Sequence, residues 1–214
     1  MKKMNYRTIA FIVAIAVVQA AMAQIPDGYY ASLNGKKGAA LKTAVHEIIK
    51  NAKVLDYGSG AGHTWEGFYS TDRTDDNVVI DRYSNDTRYF GSKGSSVDGM
   101  NIEHSFPKSW WGGSENQAYK DLYNLMPCEK NINSSKSNYP MGEVTDVKTN
   151  NGCTKIGKGN NGYQLWEPAD KWKGDFARGY MYMATAYQDL TWKGGQDANI
   201  LQQGNYPTLK PWAY

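Results

Sequence analysis

Four side chains in residues 101–138 have the chemistry of a hydrolytic site. Glu103 and His104 are adjacent, and Asn133 and Lys136 follow about thirty residues later. A neutral imidazole is the natural general base near pH 7. A carboxylate and an amide oxygen are suitable ligands for Mg²⁺, which often takes only one or two ligands from protein. A base next to such a cation is the set that phosphodiester cleavage needs, and we therefore expect that class of reaction.

Each component also has a structural interpretation. An Asn- and Ser-rich run is more often a turn region than a metal site, and a single histidine in a strand is more often structural. Glu103 and His104 would point to opposite sides of an extended chain. If one of them faces the substrate, the other needs a local twist or bulge. Glu129 is available as a second carboxylate.

The elements around these residues predict an order of strand, long loop, strand and helix. We expect a strand over 121–126 and a short helix over 127–137, with Pro127 in the first helical turn. An earlier helix is predicted over 39–50, with His46 off its apolar stripe and facing solvent. A β-branched run predicts a strand over 77–84. His63 ends a glycine-rich loop and is held only as a reserve candidate.

The second half of the chain predicts a hairpin and a helix. Residues 145–163 are either a long surface loop or a hairpin around Asn151 and Gly152. Asp175 is a good N-cap for a helix after it. The core-facing stripe of this helix is expected at 4-3-4-3 spacing, with its positions at Phe176, Tyr180, Met183, Tyr187 and Leu190.

Three segments resemble the bacterial extracellular and periplasmic endonuclease I family, which belongs to the ββα-metal, or His-metal finger, nucleases. They are IEHSFPKSWW at 102–111, DLYNLMPCEKNINSSKSNYPMGE at 121–143 and KGDFARGYMYM at 173–183. The resemblance implies an α+β fold, with a mixed small sheet and helices around a ββα-metal finger. It implies an endonuclease that leaves 5′-phosphate ends, with DNA as main substrate and RNA as a second. The cofactor implied is Mg²⁺, with Mn²⁺ or Ca²⁺ as alternatives.

The resemblance also assigns roles to the three central side chains. The general base of the family falls on His104. Its two metal ligands fall on Glu103 and Asn133. Water would lose its proton to one ring nitrogen of His104, while a backbone carbonyl holds the other.

Three further positions carry supporting roles by the same resemblance. Asn124 matches the asparagine that braces the finger and its loop. Lys136 stands where the family often has Arg, and would meet phosphate as a point charge without a bidentate fork. Arg178 matches the arginine of the helix motif, and either contacts substrate phosphate or forms a structural ion pair.

The amino terminus predicts export. A basic start, an apolar run over 8–20 and the small-x-small site at 21–23 together indicate a signal peptide over 1–23. That run is short for a bilayer span, which needs roughly 20 residues, although a retained anchor is the alternative. We expect a secreted or periplasmic protein, without membrane attachment after cleavage. Residues 24–214 would form a single endonuclease domain, as a monomer, that lacks the C-terminal segment usual in the family.

Charge and cysteine content limit the interpretation. The net charge of +3 comes from the three basic residues within 1–23, so the mature chain is close to neutral. Phosphate binding must therefore come from locally placed Lys and Arg. Export leaves open a disulfide between Cys128 and Cys153, which would contribute about 3 kcal/mol. Two other classes stay open: a non-catalytic secreted module that binds nucleic acid or glycan, and a metal-dependent hydrolase of another ester.

Overall fold

The computed structural model describes residues 25–160 and 162–191. The predicted signal peptide lies outside these residues. The elements in chain order are α1 (Gly38–Ile49), α2 (Thr64–Thr71), β1 (Met100–His104), α3 (Gln117–Lys120), β2 (Leu125–Glu129), α4 (Lys130–Lys136), β3 (Asp146–Asn150), β4 (Thr154–Lys158), β5 (Gln164–Pro168) and α5 (Asp170–Ala186). This mixture of helices and small antiparallel sheets confirms the predicted α+β class.

The chain divides into two compact units, Met1–Ala44 and Val45–Tyr214. The described part of the first unit holds a 3-10 turn, Ala31–Leu33, and the start of α1. The second unit holds all elements after α1. Among the described residues, no helix has both the length and the apolar character that crossing a membrane requires. The single domain over 24–214 stays a prediction.

The first sheet and the helix after it form the ββα unit. Strands β1 and β2 pair antiparallel, with His104 opposite Leu125 and Ile102 opposite Pro127. Helix α4 begins directly after β2, and the Glu129 carboxylate caps it by accepting the N–H of Ile132. The predicted order is therefore confirmed, but Pro127 lies in β2 and not in the helix. A two-stranded sheet tolerates this proline because each strand has an outer edge where no N–H is needed.

The second sheet has the order β3-β4-β5 and is antiparallel throughout. Of the two alternatives for 145–163, the hairpin is correct. Its turn is fixed by Asn151, whose side-chain oxygen accepts the N–H groups of Cys153 and Thr154. Gly152 supplies the positive φ of 80° that the turn requires. Strand β5 was not predicted, because the short segment QLWEP carries no alternating pattern.

The strand predicted over 77–84 is wrong. Only isolated bridges form there, such as Val78 with Tyr89. Local side-chain bonding competes with the sheet at this position. One oxygen of the buried Asp81 carboxylate accepts the N–H groups of Tyr83 and Ser84, and the other accepts the N–H of Glu129. Asp81 thus ties this segment to the junction of β2 and α4.

Helices α1 and α5 both form, but the burial of His46 in α1 and the start of α5 differ from the prediction. Helix α1 matches its predicted range within one residue at each end, but His46 is buried, not exposed. Its ring bonds the carbonyl oxygen of Thr185 and lies 3.1 Å from the Asp189 carboxylate, so a distant segment covers it. Helix α5 begins at Asp170, five residues before the predicted N-cap Asp175.

The main core is aromatic and receives the stripe of α5. Phe176, Tyr180, Met183 and Tyr187 are buried, as the spacing predicted, and Leu190 packs against them. Trp166 of β5 has no exposed surface and packs edge-on against Phe176. This core accounts for nine buried aromatic residues without any ligand.

Both cysteines are buried free thiols in the structure, so the disulfide is not formed. The thiol of Cys128 lies against the carbonyl oxygen of Asn101, and that of Cys153 against the carbonyl oxygen of Arg82. Each thiol therefore has its own main-chain partner.

Gly157 gives a test of the hairpin. A methyl group there would overlap the main-chain carbonyl oxygen of Asp146 on the neighbouring strand. We expect Gly157→Ala to lower the free energy of unfolding by about 1–3 kcal/mol, measured by urea denaturation. Gly91→Ala is the matched control, because nothing lies within 4 Å of its added methyl group. Equal stability of the two variants would contradict this account of the hairpin.

Candidate active site

His104 ends β1 in a nearly closed aromatic environment. Its side chain contacts the rings of Tyr57, Trp111 and Tyr119 at centroid distances of 5.7, 6.2 and 4.6 Å. The residue is only 7% exposed. This packing fixes the plane of the imidazole and leaves it little contact with bulk water.

A hydrogen bond defines the tautomer of His104. Its Nε2 lies 2.9 Å from the main-chain carbonyl oxygen of Tyr119. A carbonyl oxygen only accepts, so Nε2 carries the proton and Nδ1 of the neutral ring has a free lone pair. Burial lowers the pKa of His104 to about 4; the bond to Tyr119 opposes this shift, and the cations of Lys108 and Lys136 add to it. The ring is therefore neutral at pH 7, as a general base must be.

Glu103 faces a different set of neighbours. Its Oε1 accepts the phenol O–H of Tyr83 at 2.8 Å and lies 2.7 Å from the ammonium of Lys136. Within the described residues, its second oxygen accepts no hydrogen bond. The alternation of β1 thus sends the carboxylate and the imidazole to opposite sides, as expected for adjacent strand residues.

Lys136 is fully buried at the end of α4. Besides Glu103, its ammonium lies 3.4 Å from the carbonyl oxygen of Ser105 and 5.2 Å from the centroid of Trp166. A charge with no exposed surface requires an opposite charge and hydrogen bonds around it. In this position the ammonium meets Glu103 and not solvent, so its burial gives no support to the predicted phosphate role.

Asn133 lies on α4 one turn before Lys136. Residues three apart share a helix face, so Asn133 lies on the side of α4 that approaches Glu103. It is half-buried, and its side-chain amide makes no hydrogen bond with any described residue. One oxygen of Glu103 and the amide oxygen of Asn133 thus accept no hydrogen bond from the residues that the structure describes. Both are hard donors of the kind that Mg²⁺ prefers, so the residues present fit a two-ligand magnesium site.

The part of the chain that the structure describes contains no larger cluster of metal-binding side chains. There, no three His, Cys, Asp or Glu side chains converge as a metal cluster. This argues against a tetrahedral zinc site among these residues. The reserve candidate His63 bonds the carbonyl oxygen of Ala61 in its own loop.

Asn124 braces the loop that begins directly after His104. Its buried side-chain oxygen accepts the N–H of Phe106 at 2.7 Å and the O–H of Ser105 at 3.1 Å. Its amide nitrogen donates to the carbonyl oxygen of Phe106. Three bonds therefore fix the chain directly after His104. The amide supplies a donor and an acceptor at once, which a carboxylate in its place could not.

Arg178 and Lys108 are the exposed cations of interest. Arg178 lies in α5, away from the ββα unit in sequence, and pairs with Asp175. Lys108 was not singled out in the sequence, although it lies in the IEHSFPKSWW segment. Its ammonium lies 5.1 Å from the ring centroid of Tyr119, next to His104. Its position in the sequence, four residues after His104, could have indicated a cation near the proposed base.

The aromatic contacts of His104 were also missed. Tyr57 comes from the glycine-rich loop at 57–62, which the sequence marked only as a loop. Nothing in sequence spacing links this loop to β1. In the structure, the Tyr57 ring packs on that of Tyr119, and Asp56 pairs with Lys120, the residue that follows Tyr119.

Two curated relatives of the chain are extracellular ribonucleases. The chain is similar to an extracellular ribonuclease of Bacillus subtilis (strain 168), with 32% identity over 169 residues. It is similar to an extracellular ribonuclease of Bacillus amyloliquefaciens, with 32% identity over 168 residues. Each match covers 76% of this chain and 54% of the relative. The chain thus spans about half the length of these curated relatives.

The sequence profile described as Endonuclease I matches residues 37–212. This range contains β1, β2 and α4 with all of the candidate residues, and it confirms the resemblance drawn from the three motifs. The chain therefore belongs to the Endonuclease I family.

Proposed function

We propose that this protein is an exported, metal-dependent endonuclease that hydrolyses phosphodiester bonds in DNA and RNA. The observation that carries the proposal is the neutral His104 ring, held by Tyr119 with its Nδ1 unprotonated. The carboxylate of Glu103, on the opposite side of β1 from the imidazole, and the amide of Asn133 are the proposed donor set for Mg²⁺. Family membership supports the reaction, and the names of the two relatives support RNA as one substrate.

The chemistry assigns one proton transfer to the chain. Nδ1 of His104 accepts a proton from water, and the resulting hydroxide attacks phosphorus in line with the departing 3′-oxygen. A new P–O bond forms, the P–O3′ bond breaks, and the 3′-oxygen takes a proton from solvent. The products carry 5′-phosphate and 3′-hydroxyl ends. Bound at Glu103 and Asn133, Mg²⁺ would supply charge stabilisation for the phosphoryl group and the leaving oxygen.

Lys136 has a positioning role in this proposal. With Tyr83 it holds Oε1 of Glu103, which leaves the second carboxylate oxygen available to a metal ion. Phosphate contact falls instead to Lys108, which is exposed and next to His104. Arg178 is a second candidate for phosphate contact, at the exposed face of α5.

The first prediction concerns His104 and the metal. We expect His104→Ala to reduce plasmid cleavage by about 10²–10⁴-fold, because the proton acceptor is lost. EDTA should abolish cleavage by the wild type, and added Mg²⁺ should restore it. His63→Ala is the matched control and should retain wild-type rates. Unchanged activity in folded His104→Ala would contradict the mechanism, and binding of DNA without any turnover would favour a non-catalytic module.

The second prediction concerns the partners of Glu103. We expect Tyr83→Phe to raise the Mg²⁺ concentration needed for half-maximal thermal stabilisation about threefold or more, because Glu103 loses one of its two donors. The Tm is measured at a series of Mg²⁺ concentrations without substrate, so the result does not depend on activity. The control is Tyr89→Phe, at an exposed tyrosine. The same Mg²⁺ midpoint in both variants would argue against a positioning role.

The third prediction concerns Lys108. One lost phosphate contact should reduce the slope of log(kcat/KM) against log salt by about 1. We expect this for Lys108→Gln, with a lower kcat/KM at low salt and an unchanged Tm. Lys148→Gln, on the exposed strand β3, is the control and should leave the slope unchanged. If the slope for Lys108→Gln equals that of the wild type, Lys108 does not contact a substrate phosphate.

A further inference from the structure

An exposed pair of tyrosines lies beside the ββα unit. The side chain of Tyr123 is 72% exposed, the highest value among the large exposed hydrophobic residues of the described ranges. Its ring packs on that of Tyr182, with centroids 4.6 Å apart and planes inclined by 39°. Tyr123 precedes β2, and Tyr182 lies on α5. An aromatic ring left this open contributes little to the stability of the fold.

The pair is held in place by one buried carboxylate. Oδ1 of Asp121 accepts the N–H of Tyr123 at 2.9 Å, and its Oδ2 accepts the phenol O–H groups of Tyr182 and Tyr187. These three donors surround the negative charge, so the carboxylate does not face solvent. The main chain at Tyr123 also lies close to α5, where a methyl group at Gly179 would be 3.3 Å from the Tyr123 carbonyl oxygen. The pair is therefore fixed on both sides.

Tyr123 is connected through the next two residues of the chain to the end of β1, where His104 lies. Asn124, which follows Tyr123, makes the bonds that fix Ser105 and Phe106. Leu125, two residues after Tyr123, is paired with His104 across the sheet. Tyr123 itself lies in the turn that leads into β2, so it is close along the chain to the residues that brace and pair with the end of β1.

The exposed face of α5 extends the same surface. Arg178 lies one turn before Tyr182, and both Arg178 and Met181 are exposed. An aromatic face flanked by a guanidinium is the combination that binds a base and its phosphate in single-stranded nucleic acid. Duplex bases are stacked on one another, so they do not offer their faces to such a surface.

We propose that Tyr123 and Tyr182 form a stacking platform for an unpaired base of the substrate, next to the bond that is cut. This inference rests on the proposed nuclease function and adds to it a preference for single-stranded nucleic acid. The platform contacts the substrate but takes no part in proton transfer.

The binding test uses proteins that cannot cleave. A fluorescent single-stranded oligonucleotide and its blunt duplex are titrated with His104→Ala, alone and combined with Tyr123→Ala or Tyr123→Phe. We expect Tyr123→Ala to weaken single-strand binding about tenfold, within the range measured for base stacking on aromatic residues. Duplex binding should change less than twofold. Tyr123→Phe keeps the aromatic face and should bind like its parent.

Kinetics on otherwise wild-type protein complete the test. Tyr123→Ala should raise KM for single strands by a similar factor, with kcat unchanged. Equal affinity of the Tyr123→Ala and parent proteins for single strands, or equal losses on single strands and duplex, would overturn the platform. If the wild type cleaves nothing, the proposed function fails, while the binding titration still decides the role of Tyr123.

Discussion

The buried ion pair between Lys136 and Glu103 is the constraint on which the geometry of the site depends. The ammonium ends α4, the carboxylate lies in β1, and their atoms are 2.7 Å apart with no exposed surface on the lysine. Removal of either partner would leave an uncompensated buried charge, which costs about 3–5 kcal/mol. The pair therefore fixes how far α4 can move from the sheet. It also places Asn133, one turn earlier, on the side that faces Glu103.

A second constraint acts on the other face of β1. Strand alternation sends His104 away from Glu103, into a group of aromatic rings and onto the carbonyl oxygen of Tyr119. The loop between β1 and β2 must therefore return close to the end of β1. Asn124 provides this closure with three hydrogen bonds to the residues after His104. The proposed base and the proposed metal ligands are thus held by different sets of contacts, so each can be perturbed separately.

The distribution of charge fits a protein with almost no net charge after residue 23. Lys136 is buried inside the fold, and Lys120, which follows Tyr119, is paired with Asp56. A general positive field is absent, so substrate binding has to depend on a few contacts. In the proposals made above, Lys108 and the tyrosine pair supply such contacts through one cation and one aromatic face.

The sequence by itself determined the class of the fold, the strand–loop–strand–helix order and the family, because hydrophobic spacing and motif residues are local signals. It also predicted the buried stripe of α5, which depends only on helical periodicity. It did not predict the buried state of Lys136 and His46, the partners of Asp81, or the approach of Tyr57 to His104. Those features join segments that are tens of residues apart. Only the tertiary structure decided them, because burial and hydrogen-bond partners follow from which distant surfaces meet, and the spacing of residues along the chain does not contain that information.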